Sequence, residues 1–387
     1  MTAASDISAP ILRLFTEQGF TPVDPPIMQP ADVFLEKSGE AIRARTYLFA
    51  DPDGVAELCL RPDLTVPTCR WHLAHAPDPS AEAKYCYLGP VFRYDGPRDD
   101  TMHPHEFPQA GLEWFGAGNT PRADAEVLSL AVKAVRAAGL EDFTITIGDV
   151  GLVRALLQDI DMPPRWRARL LRRLRRPRAF HATLDELTGE NGPRARTSIS
   201  PLVDRLAESL TMERALTLVE EELGERGLEL VGGRTLEEIA ARLLEKAQNR
   251  AAEPLPKEKA ELIESLLAVS GPLKPAIMRI GKLAQAAGPN LKAAWQAFAE
   301  RVERIARLLP DEAMAMTFDA GFGRTFDYYT GFVFQLEAEI GGERQPVGGG
   351  GRYDDMLESL GGPSVPALGM ALHLPRLAAA REKEAAA

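Results

Sequence analysis

The chain has 387 residues, 45% hydrophobic and 26% charged, a composition that excludes a disordered or low-complexity protein and leaves room for two or three domains. With 56 acidic and 45 basic residues the net charge is −11, which argues against broad electrostatic capture of nucleic acid and leaves open a local basic patch. No apolar run approaches the ~20 residues of a membrane span. The opening MTAASDISAP lacks the basic start and apolar core of a secretion signal, so a cytoplasmic location is expected. Cys59, Cys69 and Cys86 are too few and too dispersed for a disulfide framework or a CxxC metal site, and are expected as buried thiols.

Ile7, Ile11, Leu12, Leu14 and Phe15 recur at near-helical spacing and stop at Gly19, which predicts an opening helix. TPVDPPIMQP (21–30) is too rich in proline for a helix and reads as an extended segment at a sheet edge or an oligomer interface. TYLFA and VAELCL flank the turn DPDG (51–54) as a hairpin. In LRPDLTVPTCRWHL (60–73) a strand hands over to a helix, with Asp63 and Thr65 at the junction. Two readings stand there: the pair caps the helix, or the carboxylate and hydroxyl hold an ammonium group.

Residues 85–116, YCYLGPVFRYDGPRDDTMHPHEFPQAGLEWFG, predict an antiparallel hairpin with a long polar tip. In its second strand Gln109, Gly111 and Glu113 share one face, and Ala110, Leu112 and Trp114 the other. An amide and a carboxylate beside a glycine suit the floor of a small pocket; a half-exposed strand is the plainer alternative. An amphipathic helix (121–140) and a strand (142–150) follow. From about 160 to 308 the pattern is helical and broken by prolines, an inserted or appended domain. Within it RWRARLLRRLRRPRAFH (165–181) reads as a basic helix for tRNA or an acidic protein, or as a cationic helix paired with local acids.

The β pattern returns at 311–336, where GRTFDYYTGFVFQLEAE puts Asp327, Tyr329, Gly331 and Val333 on one face and Phe326, Tyr328, Thr330 and Phe332 on the other. The glycines 341–342 and 348–351 bracket a short strand, and the run 348–351 reads as a loop opening a helix over RYDDMLESLGG, able to hold an anion on its amides. No Lys-Ser/Thr pair follows, which excludes a Walker loop. A strand and a charged, alanine-rich helix close the chain.

Four of these segments together resemble the core of histidyl-tRNA synthetase, a class II aminoacyl-tRNA synthetase: LRPDLTVP, GPVFRYD with EFPQAGLE, RTFDYYTG, and GGGRYDDMLESLGG with LGMALHLPRL. The resemblance spans roughly 5–155 and 310–378. It implies an α+β fold, an antiparallel sheet flanked by helices, with the first part of the core at 1–160, a helical insertion at 161–308, the second part of the core at 309–387, and no anticodon-binding domain. It also implies a histidine site of Asp63, Thr65, Arg93, Gln109, Glu113, Arg324, Tyr328 and Tyr329, with Glu113 and Tyr329 on the imidazole.

Activation of histidine requires ATP held and neutralised by cations. The tip DGPRDDTMHPHEF keeps Arg98, adds Asp99 and Asp100, and carries His103 and His105 where stronger cations stand in the synthetases. His373 replaces a glycine of the synthetase motif 3, crowding an adenine site, and Pro375-Arg376 replaces a glutamate-arginine pair. With these departures the chain resembles the regulatory subunits of ATP phosphoribosyltransferase, synthetase paralogues without catalytic residues, cofactor or metal of their own. That resemblance implies a short-form catalytic subunit as partner, histidine as ligand, a homodimer within a larger hetero-oligomer, and no tRNA. A histidine-activating ligase that uses Arg93, Arg324 and Arg376 is the alternative.

Overall fold

The structure is a computed structural model that describes residues 2–35, 40–94, 96, 104–118, 120–174, 176–189, 201–206, 209–226, 235–322 and 328–386. Arg324, Asp327, His103, Arg98, Asp99 and Asp100 lie outside the described residues. The strands are β1 (Thr21–Pro22), β2 (Met28–Pro30), β3 (Leu48–Ala50), β4 (Glu57–Leu60), β5 (Ala83–Phe92), β6 (Glu106–Phe115), β7 (Thr144–Asp149), β8 (Ser270–Pro272), β9 (Thr317–Asp319), β10 (Phe332–Ile340), β11 (Glu343–Arg352) and β12 (Ala367–His373). They make a nine-stranded sheet in the order β1-β5-β6-β12-β11-β10-β7-β9-β8 and a small sheet β2-β4-β3. The six strands from β5 to β7 pair antiparallel throughout; β1 joins β5 and β9 joins β7 in parallel. The proline-rich segment supplies β1 and β2, and the DPDG hairpin is β3-β4.

One face of the large sheet carries Leu112, Leu372, Phe334 and Leu336, all buried. Helices Thr2–Glu17, Thr120–Ala137 and Leu374–Ala386 pack against it. The helix Thr120–Ala137 turns Ala123, Val127, Leu128, Ala131 and Val135 inward, the three- and four-residue spacing of a helix with one apolar face. Each large aliphatic side chain buried in this layer contributes roughly 1.5–3 kcal/mol.

The opposite face is shaped by what its residues lack. Directly opposed residues of antiparallel strands share a face. Tyr87, Gly111, Ala371, Gly349 and Gln335 form one such row, and Tyr85, Glu113, Gly369, Gly351 and Val333 the next. The middle of each row is glycine or alanine, so the sheet has a trough there. A Cβ at Gly111 would sit 2.3 Å from the Met370 carbonyl oxygen and 2.6 Å from the Tyr87 hydroxyl; one at Gly369 would run into the Glu113 carboxyl.

The glycine run 348–351 is therefore strand rather than a helix-opening loop. It lies inside β11, hydrogen-bonded to β10 and β12, and the helix after it is only Met356–Ser359. Close packing explains the residue type, since a Cβ at Gly350 would lie 2.1 Å from the Gly369 carbonyl oxygen. β10 begins at Phe332, so Tyr328 and Tyr329 precede the strand that the alternation predicted through them.

The chain divides into two compact units, residues 1–153 with 267–387, and residues 154–266. The helices Leu273–Ala287 and Pro289–Leu308, which the sequence groups with the helical segment, belong to the sheet-bearing unit. Arg301 gives the reason: its Nε bonds Asp124 Oδ2 at 2.7 Å and its Nη1 bonds Asp149 Oδ2 at 2.6 Å, both acids buried at the sheet.

The second unit is helical, with Leu206, Ala215, Leu218, Ala240 and Ala247 in its core and a capping box between Thr235 and Glu238. The basic stretch there is two helices, Pro164–Arg173 and Pro177–Thr188, split by the proline. Three of its arginines turn to local acceptors: Arg167 to the Leu157 carbonyl, Arg169 to Glu186 and Arg173 to Thr183. Among the described residues no helix is long and apolar enough to cross a membrane. Cys59, Cys69 and Cys86 are buried free thiols.

Candidate ligand pocket

A cavity of about 340 Å3 lies over the glycine trough. Asp63, Thr65, Arg93, Gln109, Tyr328 and Tyr329 line it together, from four separate parts of the chain. Asp63 and Thr65 sit where β4 hands over to the helix Thr65–His75, and both junction readings hold geometrically. Asp63 Oδ1 accepts from the Val66 N–H at 3.4 Å, a long helix cap, and Oδ2 accepts from the Tyr328 hydroxyl at 3.2 Å. Gln109 Oε1 accepts from the Leu64 N–H at 3.1 Å, which leaves the amide nitrogen to the cavity side. Arg93 Nε donates to the Pro62 carbonyl at 2.7 Å and so ties the end of β5 to this junction.

Glu113 is completely buried and stands behind the lining. Its Oε1 accepts from the Tyr87 hydroxyl at 2.9 Å and its Oε2 from the Tyr353 hydroxyl. Tyr353 lines the cavity, so Glu113 reaches a ligand beside or through this hydroxyl. Burial pushes the Glu113 carboxyl up to about 8, against the opposing effect of the Tyr353, Thr65 and Tyr87 hydroxyls. Burial also raises Asp63, to about 6, with Arg93 the main opposing charge. At neutral pH Asp63 is thus largely ionised and Glu113 largely protonated. The pocket offers one carboxylate for a cation and one neutral carboxyl ringed by hydroxyls.

Tyr328, Tyr329 and Tyr353 form the aromatic wall, with ring centroids 4.8 Å apart for Tyr328 and Tyr329 and 5.7 Å apart for Tyr328 and Tyr353. Burial raises the hydroxyls of Tyr328 and Tyr353 well above the usual tyrosine value, so both remain donors across the physiological range. Gly351 makes room for this wall: a Cβ there would lie 2.9 Å from Tyr329 Cδ1.

The other end of the cavity is cationic and closed. Arg45, Arg93 and Arg376 line it, and His373 lies on Phe107 with ring centroids 3.9 Å apart and planes at 15°. His373 Nδ1 accepts from the Arg376 N–H at 3.3 Å, and the Arg93 guanidinium stands 5.2 Å from the Phe107 ring centre. Burial first, then the neighbouring Arg376 and Arg93 charges, hold the His373 imidazole well below its usual value, so the ring is neutral.

The model of the histidyl-tRNA synthetase family matches residues 1–243 and 233–377. An ATP phosphoribosyltransferase regulatory subunit of Chelativorans sp. (strain BNC1) is 37% identical over 380 residues, 97% of each chain. The chain belongs to that regulatory-subunit family. A second relative of the same description, from Mesorhizobium japonicum, is 36% identical over 385 residues and 97% of each chain. A crystal structure from Bacillus halodurans, described as an ATP phosphoribosyltransferase regulatory subunit/histidyl-tRNA synthetase, matches with a TM-score of 0.64 at 21% identity, over 98% of this chain and 79% of that one. The α+β fold is the histidyl-tRNA synthetase-like, class II fold of these relatives.

In this member of the regulatory-subunit family the structure adds residues to the pocket that sequence reasoning did not choose. Tyr353 follows the glycine run, and its approach to Glu113 rests on the pairing of β11, β12 and β6, which no local pattern displays. Tyr87 reaches the same carboxyl from β5, and the β5-β6 register is the signal that identifies it. Arg45, before β3, carries no motif that marks it.

Proposed function

We propose that this chain is the non-catalytic regulatory subunit of a heteromeric ATP phosphoribosyltransferase, needed for the first step of histidine biosynthesis and for its feedback inhibition by histidine. The observation that carries this reading is a single cavity with an acid-and-hydroxyl end suited to an amino acid and a stacking face already covered by His373. A histidine ligand places its ammonium group on Asp63, Thr65 and Gln109 and its carboxylate towards Arg93. Its imidazole turns to Tyr329, Tyr353 and the neutral Glu113. The catalytic site belongs to the short-form partner subunit, and feedback follows if histidine binds two states of the complex with different affinity. A homodimer within that hetero-oligomer, in the cytoplasm and without tRNA, completes the proposal.

Mixing the purified chain with a short-form catalytic subunit tests it. A stable heteromer is expected, more active than the catalytic chain alone and inhibited by added histidine; absence of a complex overturns the reading. Arg93 and Arg376 line the same cavity, which favours a histidine-activating ligase as second reading. Histidine-dependent ATP–pyrophosphate exchange separates the two, since robust exchange removes the non-catalytic proposal.

A further inference from the structure

Between Glu264 and Glu300 the chain carries Lys274, Arg279, Lys282 and Lys292 and no acidic residue, in a protein whose net charge is −11. This acid-free stretch makes the hairpin of helices Leu273–Ala287 and Pro289–Leu308. The first helix turns Leu273, Ala276, Ile280, Gly281 and Ala284 inward. On the opposite side, at four-residue spacing, Lys274, Met278 and Lys282 are exposed in one line, and Met278 is 66% accessible. Elsewhere on the helices surface arginines are matched with acids, as in Arg122–Glu126, Arg304–Glu300 and Arg307–Glu303. The line 274–278–282 has no such match among the described residues.

The hairpin beneath this line is rigid. A Cβ at Gly281 would lie 2.9 Å from the Trp295 ring, and Trp295 Nε1 donates to the Ile277 carbonyl at 3.0 Å, which locks the two helices face to face. The second helix is bound to the sheet by the buried Arg301 pairs with Asp124 and Asp149. Asp124 also binds Arg352, whose chain neighbour Tyr353 lines the ligand cavity. The outer face and the wall of the pocket thus share one buried framework.

We propose that the Lys274–Met278–Lys282 face docks the catalytic subunit of ATP phosphoribosyltransferase, meeting an acidic surface of that partner with an apolar socket for Met278. This rests on the regulatory-subunit reading above and locates its contact. Charge complementarity selects an acidic surface, and a methionine at the centre of the cationic line selects protein over RNA. RNA binding would call for exposed rings to stack on, whereas the Trp295 ring is committed to Gly281.

Isothermal titration of the full-length chain against a short-form catalytic subunit, at low and at physiological salt, tests the assignment. The double variant Lys274→Glu/Lys282→Glu is expected to weaken binding about a hundredfold, and Met278→Glu about tenfold. Lys133→Glu, an exposed lysine on another helix, is expected to change nothing. All three retain the wild-type circular dichroism and melting temperature, because every position is at the surface. A wild-type complex unaffected by the variants at 274, 278 and 282, or weakened equally by Lys133→Glu, overturns the docking face and leaves the regulatory reading intact. A wild type that forms no complex, or that captures tRNA through Lys274 and Lys282 instead, overturns both.

Discussion

His373 and Phe107 form a parallel stack inside the cavity, ring centroids 3.9 Å apart, and the stack covers the aromatic face that a second ring would use. The imidazole is neutral and held by the Arg376 N–H, so it is a fixed part of the wall. His373→Gly removes the cover and leaves Arg93 and Arg376 around a bare phenyl face. The variant is expected to bind an adenine nucleotide at least tenfold more tightly than the wild type, since stacking on an aromatic side chain contributes about 1–3 kcal/mol per base. Titration with ATP in the absence of histidine measures it; equal, weak binding by both proteins means that His373 does not set the size of the site.

Glu113 makes stability depend on pH with a definite sign. Its carboxyl is raised from 4.5 to about 8 by burial, so between those values the folded chain holds a proton that the unfolded chain has released. Stability contributed by this group is full below pH 4.5, declines as pH rises, and is lost once pH passes about 8. The slope is about 1.4 kcal/mol per pH unit within the window. Asp63 contributes with the same sign, but only up to its own value of about 6. Glu113→Gln is therefore expected to flatten the fall in melting temperature between pH 6 and 8, and parallel curves for the two proteins would show that Glu113 is ionised when buried.

The alternation of Gln109, Gly111 and Glu113 was legible in the sequence because one strand face is a local property, repeated every second residue. The turn from β4 into the helix at Thr65 was legible for the same reason, with Asp63 and proline marking the change of period. The glycines 348–351 were not, because glycine is by itself a loop signal, and only the closeness of β12 shows why a strand needs four of them. The helices of 273–308 have apolar faces that fit any core. Which core they join depends on the buried ion pairs of Arg301, with partners more than a hundred residues away.

Asp63 is the carboxylate of the pocket that is ionised at neutral pH, and its Oδ2 is held by the Tyr328 hydroxyl at 3.2 Å. Asp63→Asn keeps the shape and removes the charge. Hydrogen bonds to charged groups contribute about 1.5–3 kcal/mol, so an ammonium ligand is expected to bind about 10- to 100-fold more weakly. The rise in melting temperature produced by saturating histidine in the wild type should then shrink or vanish. A full thermal shift in Asp63→Asn removes this residue from the ligand site, whereas its loss there together with a normal shift in Asp63→Glu confirms the charge requirement.

Arg301 carries the heaviest electrostatic demand in the sheet-bearing unit. It bridges Asp124 and Asp149, and Asp124 in turn holds both Nε and Nη2 of Arg352, at 3.0 and 2.8 Å. Arg352 Nη1 reaches Asp354, which accepts from the Ala367 N–H at the start of β12. The network thus ties the helix Pro289–Leu308, the helix Thr120–Ala137 and the ends of β7, β11 and β12. Burial raises Asp149 against the pull of Arg301, so removing the cation leaves an acid that protonates or destabilises the fold. Arg301→Met is expected to cost about 3–5 kcal/mol, because breaking a buried pair leaves its partner charge uncompensated. Adding Asp149→Asn to it should recover part of that loss, as one of the two stranded carboxylates is gone. Urea denaturation of the wild type, the single variant and the double variant measures both steps; a double variant less stable than Arg301→Met would mean that Asp149 is needed for its contact with the Gly151 N–H rather than for the ion pair.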